Sequence, residues 1–295
     1  MPAVRMSDGS VKFVSRNKAG AEDSLLLPCG QCIGCRLERS RQWAMRCLHE
    51  SSMHESNSFI TLTYDDANLP HGSSLVYSDF QKFMKRLRKK IAQPLRFYCG
   101  GEYGELLCRP HYHACLFGYD FPDKQYFKRT ASGEKIYTSA ILESLWPFGH
   151  SSVGAVTFES AAYIARYCVA KVTGDAAASH YETITDDGEI VNRVPEFNHM
   201  SLKPGIGASW LAKYQTDVFP RDYVIINGVK TKPPKYYDTV FEKENPGEFS
   251  EIVARREYDF QCLKLDDPAE YFDERMSVKR EVKLAQVSQL KRNLS

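Results

Sequence analysis

The sequence predicts an α+β fold: a central antiparallel sheet with helices packed on one face, plus an N-terminal Cys-rich extension and a C-terminal helical extension. Three observations predict it. Segments of strand and helix character follow one another as β-α-β-β-(α)-β-α between residues 58 and 173. The strand segments, such as SFITLTY at 58–64, alternate and are rich in β-branched and aromatic residues. The helical segments carry apolar residues at helical spacing, as in Phe80, Phe83, Met84, Leu87 and Ile91.

Taken in order, residues 1–28 are a poorly patterned leader. Residues 36–55 suit an amphipathic helix with Leu37, Trp43, Ala44, Cys47 and Leu48 as its apolar side. The strand at 58–64 is followed by a turn-rich loop, Asp65 to Ser74. Ser78 and Gln81 match a capping box that opens the next helix, and Pro94 ends it. Residues 95–99 and 111–117 are strands, joined by a Gly- and Pro-containing connection over 100–110. A short helix at 141–146 and a strand at 151–157 lead to a helix over 158–173, with Gly174 as its stop. Residues 175–196 are polar and read as a flexible insertion. Asn227-Gly228 marks a hairpin turn ahead of the PPKYY segment, and from Phe249 the chain is charged and helix-prone. The division expected is a leader, Cys-rich segment and helix over 1–55, a core over 56–175, an insertion and hairpin over 176–245 and a helical tail over 246–295.

Composition allows a sizeable core, with 43% hydrophobic and 12% aromatic residues among 295. The formal net charge of +2 leaves the class of partner open, because the distribution of charge decides it. No apolar run approaches the ~20 residues of a membrane span, and the first residues lack a signal-peptide core. An intracellular protein without a membrane partner is expected. Nine cysteines, an odd number, read as free thiols and a metal site instead of a disulfide framework.

The chemistry is carried by two motifs. In a strand, alternate side chains share a face, so His111 and His113 point one way and Tyr112 the other. Two imidazoles at that spacing can chelate one ion. Glu102, nine residues before His111 on the preceding strand, is the expected third ligand, with Glu105 in the loop as the alternative. Two histidines and a carboxylate leave positions open for substrate oxygens, which suits Mg²⁺ or Mn²⁺ in phosphoryl chemistry. The second motif is Tyr163, Tyr167 and Lys171, which share one face of a helix. A phenol can attack a phosphodiester when a metal polarises the phosphate. Either motif by itself also fits a polar strand face or a core stripe.

Two further clusters stand apart. Cys29, Cys32 and Cys35 form C-x2-C-x2-C, a spacing that wraps one soft ion. Cys47 or His49 on the following helix is the expected fourth ligand, Zn²⁺ the favoured ion and an iron–sulfur cluster the alternative. Lys85, Arg86, Arg88 and Lys89 belong to a run of cations without an acid, which suits phosphate contacts.

The segments PCGQCIGCRLERSRQWAMRC, FITLTYDDANLP, RPHYHACLFGYDFPDK, LWPFGHSSVGAVTFESAAYIARYCVAKVTG and EFNHMSLKPGIGASW resemble the replication initiators of gokushoviruses, single-stranded DNA bacteriophages of the microvirus group within the wider HUH endonuclease class. The resemblance runs over roughly residues 28–240. It implies an HUH/RRM-like palm, with His111 and His113 as the metal pair, Glu102 as third ligand and Tyr163 and Tyr167 as twin nucleophiles. Thr61 and Thr63 fall in the class's first motif. It further implies nicking of single-stranded viral origin DNA, a 5′-phosphotyrosine intermediate, and a 3′-OH that primes a host DNA polymerase in the bacterial cytoplasm. No G-x-x-x-x-G-K-[ST] motif occurs, so a host helicase is expected to unwind the duplex. The competing expectations are an HUH transposase or relaxase, which the order of the motifs opposes, and a non-catalytic single-strand binder.

Overall fold

The computed structural model describes residues 2–6, 11–13, 24–104, 107–130, 133–172, 174–185, 187–271 and 273–289. The leader carries structure: β1 (Pro2–Arg5), β2 (Val11–Phe13) and β3 (Ser24–Leu26) pair as a small antiparallel sheet in the order β2-β1-β3. Helix α1 (Ile33–Ser51) follows, buried along Ala44, Met45 and Cys47. The central part then runs β4 (Asn57–Tyr64), α2 (Tyr77–Lys90), β5 (Arg96–Tyr103) and β6 (Pro110–Phe117). Next come β7 (Gln125–Arg129), β8 (Lys135–Thr138), α3 (Ala140–Leu145), β9 (Gly149–Gly154) and α4 (Phe158–Ala170).

Residues expected to form a flexible insertion instead form α5 (Ala176–Tyr181) and a hairpin of β10 (Glu182–Ile184) and β11 (Ile190–Asn192). Tyr181 anchors them: its ring is buried, and its hydroxyl donates to Glu196 at 2.5 Å and accepts from the Val172 N–H at 3.1 Å. Strand β12 (Phe197–Met200) and helix α6 (Ala208–Val218) follow. The hairpin β13 (Val224–Ile226) and β14 (Val229–Thr231) turns at Asn227 and Gly228, both at positive φ as that dipeptide predicts. Helices α7 (Lys235–Glu244), α8 (Pro246–Asp266) and α9 (Asp273–Gln289) make the tail.

The main sheet has seven antiparallel strands in the order β12-β5-β6-β4-β9-β8-β7. Strand β6 is therefore interior, hydrogen-bonded to β5 on one side and β4 on the other. Alternation sends Leu62, Tyr64, Tyr112, Ala114 and Leu116 to one face, where they pack with Phe80, Phe83, Met84 and Leu87 of α2 and with Leu142 and Leu145 of α3. Phe59, Cys115 and Phe117 go to the other face, where Tyr98, Ala44, Cys47, Ala161 and Ile164 cover them. The helical layer expected on one face is α2 and α3. Helix α1, from the N-terminal extension, and α4 add a second layer over the β5–β6–β4 part of the opposite face.

The S-x-x-Q box does not cap α2. The helix opens at Tyr77, one residue before Ser78, and its N-cap Val76 has no side-chain cap bond. Ser78 is already inside the first turn, where its hydroxyl is misplaced for the orphan amides.

Helix α1 is tied to the sheet and to the start of α6 by a buried carboxylate. Glu50, near the end of α1, accepts from Arg96 Nε of β5 at 2.5 Å and from the Gly207 N–H before α6 at 2.7 Å. It is 1% exposed. Removing one partner of such a pair strands the other charge in low dielectric. Glu50→Ala is expected to destabilise the protein by about 3–5 kcal/mol in urea unfolding; a loss below about 1 kcal/mol would mean that the carboxylate is not a structural tie.

Candidate metal centre and adjoining groove

Strand register builds the centre. On the β5–β6 ladder Glu102 stands opposite His111, and on the β4–β6 ladder Thr61 stands opposite His113. Glu102 Oε1 lies 2.5 Å from His111 Nε2 and 2.7 Å from His113 Nε2. The ligand atoms of all three residues lie within 4.8 Å of one another. His113 and Glu102 are buried, and only the edge of His111 reaches solvent. Tyr112 points to the opposite face, as alternation requires. There its hydroxyl accepts from the Val76 N–H at 2.8 Å and meets Tyr64 Oη at 3.2 Å. Glu105, the alternative ligand, lies outside the described residues.

Hydrogen bonds behind the imidazoles orient them. His111 Nδ1 lies 2.9 Å from the Arg109 carbonyl, which can only accept, so Nδ1 carries the proton. Neutral His111 then presents the Nε2 lone pair to a carboxylate oxygen. Two acceptors cannot face each other at that distance without a positive charge between them. Either a second proton on His111 or a bound cation supplies it. Burial alone would lower the His111 pKa, yet the Glu102 carboxylate beside it raises it. Burial would likewise raise Glu102, but the two imidazoles hold it below the usual carboxylate range. His113 is pushed down, by burial first, and so stays neutral and available as a ligand. Its Nδ1 meets Thr61 Oγ1 at 2.9 Å, and Phe59 stacks on its ring. The residues present fit a divalent cation: two oriented nitrogens, one carboxylate and a place for positive charge that an ion or a proton fills.

Helix α4 brings Tyr163 to this group. Its hydroxyl is 3.4 Å from Glu102 Oε1, and its ring meets His113 edge to face at 5.0 Å. The side chain is only 5% exposed. Tyr167 lies in α4, but its side chain falls outside the described residues. Lys171 follows the last residue of α4, two turns or about 12 Å beyond Tyr163, and its carbonyl accepts from Arg36 Nη1 at 3.1 Å. Among the described residues its amino group is not one of the groups that reach Glu102.

Beyond α4 the same sheet face is open. A groove of about 630 Å³ is floored by Thr61, Thr63, His150 and Ser152 and walled by Phe127, Lys128, Ile136 and Thr138 of the β7–β8 hairpin. Thr61 lines the groove and also holds His113 Nδ1, so the groove adjoins the centre. Phe127 is 62% exposed, and its neighbour Tyr126 is 61% exposed. The sequence reading missed this hairpin. The signal was there: QYFKR and KIYT flank a Gly133 turn, a strand-turn-strand pattern.

The cationic run does not border the centre. Helix α2 covers the opposite face of the sheet. Lys85, Arg88 and Lys89 are exposed there, with Arg88 reaching the Leu95 carbonyl at 3.4 Å, whereas Arg86 is half-buried and its Nε donates to the Leu145 carbonyl at 2.9 Å. The cysteine cluster is corrected in one respect. Cys29, Cys32 and Cys35 come together, but Cys47 is fully buried against Cys115 and Phe59 in the core. Twelve helical residues separate it from Cys35, about 18 Å of rise. His49 is no substitute, since it is buried between Trp210 and Tyr237. Amide donors at Cys32 and Gln31 draw the Cys29 thiol down to about 6.

Fold and centre together define an α+β protein that presents two histidines and a carboxylate on an interior strand pair beside a helical tyrosine. Residues 57–172 match the family of Replication-associated protein ORF2/G2P. The chain is 34% identical to Replication-associated protein VP4 of Bdellovibrio phage phiMH2K, over 84% of this chain and 77% of that protein. It is 32% identical to Replication-associated protein ORF2 of Spiroplasma virus 4, over 82% and 76%. It is also 26% identical to Replication-associated protein ORF4 of Chlamydia phage 1, over 75% and 54%. The chain belongs to this replication-associated protein family, which upholds the resemblance to microvirus-type replication initiators. No solved structure matches it. No helix among the described residues is long and apolar enough to cross a membrane.

The centre makes a prediction for metal binding. Filling it displaces the proton that Glu102 holds on His111. Mn²⁺ affinity, followed by electron paramagnetic resonance, should therefore rise with pH as His111, whose pKa lies above the ordinary histidine value, gives up that proton. Thr61→Val should lower it by about 10-fold, and His113→Ala by more. Affinity independent of pH, or unchanged in His113→Ala, would contradict the assignment.

Proposed function

We propose that the protein is a tyrosine-dependent DNA endonuclease and strand transferase that starts phage replication by nicking single-stranded origin DNA. The observation that carries this reading is the Tyr163 hydroxyl 3.4 Å from the carboxylate oxygen shared by His111 and His113. A reactive hydroxyl beside an ion site on a rigid sheet is the arrangement that phosphodiester attack needs. Mg²⁺ or Mn²⁺ held by Glu102, His111 and His113 would supply Lewis acidity at the scissile phosphate.

In this reading the Tyr163 oxygen bonds to phosphorus while the bond from phosphorus to the 3′ oxygen breaks. The 5′ side is left as a phosphotyrosine and the other side as a 3′-OH. Glu102 Oε1 is the acceptor nearest the phenol proton, and the departing 3′ oxygen takes up a proton, so no co-reactant is consumed. The energy of the cleaved linkage is kept in the phosphotyrosine, which allows rejoining. Tyr167, one turn along, is the second nucleophile of the proposal. The 3′-OH would prime a host polymerase, with a host helicase unwinding ahead of it in the bacterial cytoplasm. The groove beside the centre would hold the strand, with Phe127 stacking a base and Lys128 meeting phosphate.

A second reading is favoured by one observation. The burial of the Tyr163 ring suits a structural tyrosine in a non-catalytic single-strand binder. The adduct assay separates the two. With origin-containing single-stranded DNA and Mn²⁺, a covalent protein–DNA band is expected. Tyr163→Phe should reduce its formation by about 10³-fold or more, and Tyr163→Phe/Tyr167→Phe should abolish it. A wild-type yield of adduct from the double variant would overturn the proposal. Separately, Phe127→Ala should weaken single-strand binding by about 1–3 kcal/mol and leave Mn²⁺ binding unchanged; equal affinity would remove the groove from the account.

A further inference from the structure

We propose that Cys29, Cys32 and Cys35 hold one zinc ion, and that this site fastens the C-terminal end of α4 to the start of α1. The inference concerns a site remote from Glu102 and does not rest on the nicking reading.

The sulfur atoms of the three residues lie within 4.8 Å of one another, and those of Cys29 and Cys35 are 3.9 Å apart. At a zinc–sulfur distance of about 2.3 Å, the edge of a tetrahedron is about 3.8 Å. The thiols therefore already have the spacing of three corners of a zinc site. An iron–sulfur cluster spreads its cysteines over several irons, whereas these three sulfurs converge on one point. Thiolates also exclude the hard cations expected at the histidine centre. The backbone is arranged to match. The Cys32 N–H donates to Cys29 Sγ at 3.2 Å, and Gly30, at φ 71°, makes the tight turn between the two cysteines. Among the described residues no fourth side-chain ligand joins the group.

What the site fastens follows from the next residue. Cys35 and Arg36 lie in the first turn of α1. Arg36 donates from Nη1 to the Lys171 carbonyl at 3.1 Å and from Nη2 to Gln31 Oε1 at 3.4 Å. Gln31 lies between two of the cysteines. A metal that fixes this loop also fixes the guanidinium, which caps a carbonyl just past the end of α4. That helix carries Tyr163 and Tyr167.

The test uses the full chain purified after growth with zinc. Elemental analysis should find one tightly held zinc per chain, and cobalt replacement should give thiolate-to-cobalt charge-transfer absorption. Cys29→Ser/Cys32→Ser/Cys35→Ser should lose both, whereas His111→Ala/His113→Ala should keep both. Hydrogen–deuterium exchange at the last turn of α4 should speed up by about 10-fold in the triple variant, with β6 unchanged. Arg36→Ala should give the same loosening with zinc retained. Should the triple variant not fold, wild-type protein stripped by a chelator carries the same measurement. The proposal is overturned if zinc survives the triple substitution, if the purified chain holds an iron–sulfur chromophore or no thiophilic metal, or if exchange in α4 is indifferent to zinc removal.

Discussion

Burying the Glu102 carboxylate would be prohibitive without positive charge against it. Two imidazoles meet its Oε1 at 2.5 and 2.7 Å, and both are held from behind, His111 by the Arg109 carbonyl just ahead of β6 and His113 by Thr61 of β4. That single shared oxygen organises the rest. It fixes the pairing of β5 with β6, because a slip of one residue would send Glu102 to the opposite face. It also marks the point at which a cation would bind, and it is the acceptor that the Tyr163 hydroxyl reaches. The ladder makes this geometry rigid. His111 and His113 sit on β6, paired with β5 on one side and β4 on the other, and Glu102 lies one residue past the β12–β5 ladder.

The sheet divides labour between its faces. On one, Tyr64, Tyr112, Trp146 and the α2 aromatics form a continuous packed layer with no role in the chemistry. The Tyr112 hydroxyl, between the two histidines in sequence, is consumed there in holding the Val76 amide. On the other face, α1 and α4 cover only part of the strands. Where they stop, the β4–β9–β8–β7 surface is left as a groove beside the metal centre. The candidate centre thus lies at the border of a packed region and an open one. A residue there can be oriented by neighbours and still meet a substrate.

The centre was more legible in the sequence than its surroundings, for physical reasons. A period of two places His111 and His113 together from sequence alone. A hairpin returning nine residues later puts Glu102 opposite His111. These are local rules, and the register obeys them. The readings that failed depended on distance in space. Cys47 was matched to Cys29, Cys32 and Cys35 by proximity in sequence, but a helix carries it about 18 Å away. For Arg86 and Arg88 the folded chain adds what the sequence does not show, the Leu145 and Leu95 carbonyls as acceptors, and this does not bear on phosphate contact. The capping box failed by one residue, since Ser78 already lies inside α2. The β7–β8 hairpin was readable from its turn and alternation, and its significance appears only once the groove beside Thr61 is seen.

The central claim is that Glu102, His111 and His113 bind one divalent cation within reach of Tyr163. The most direct test is a crystal structure of the Mn²⁺-loaded chain, with the ion located by its anomalous scattering. The account predicts one strong peak bonded to Nε2 of both histidines and to a Glu102 oxygen, with the Tyr163 hydroxyl facing it. A peak elsewhere, or a Mn²⁺-saturated crystal in which Glu102 still bridges the two imidazoles directly, would contradict it.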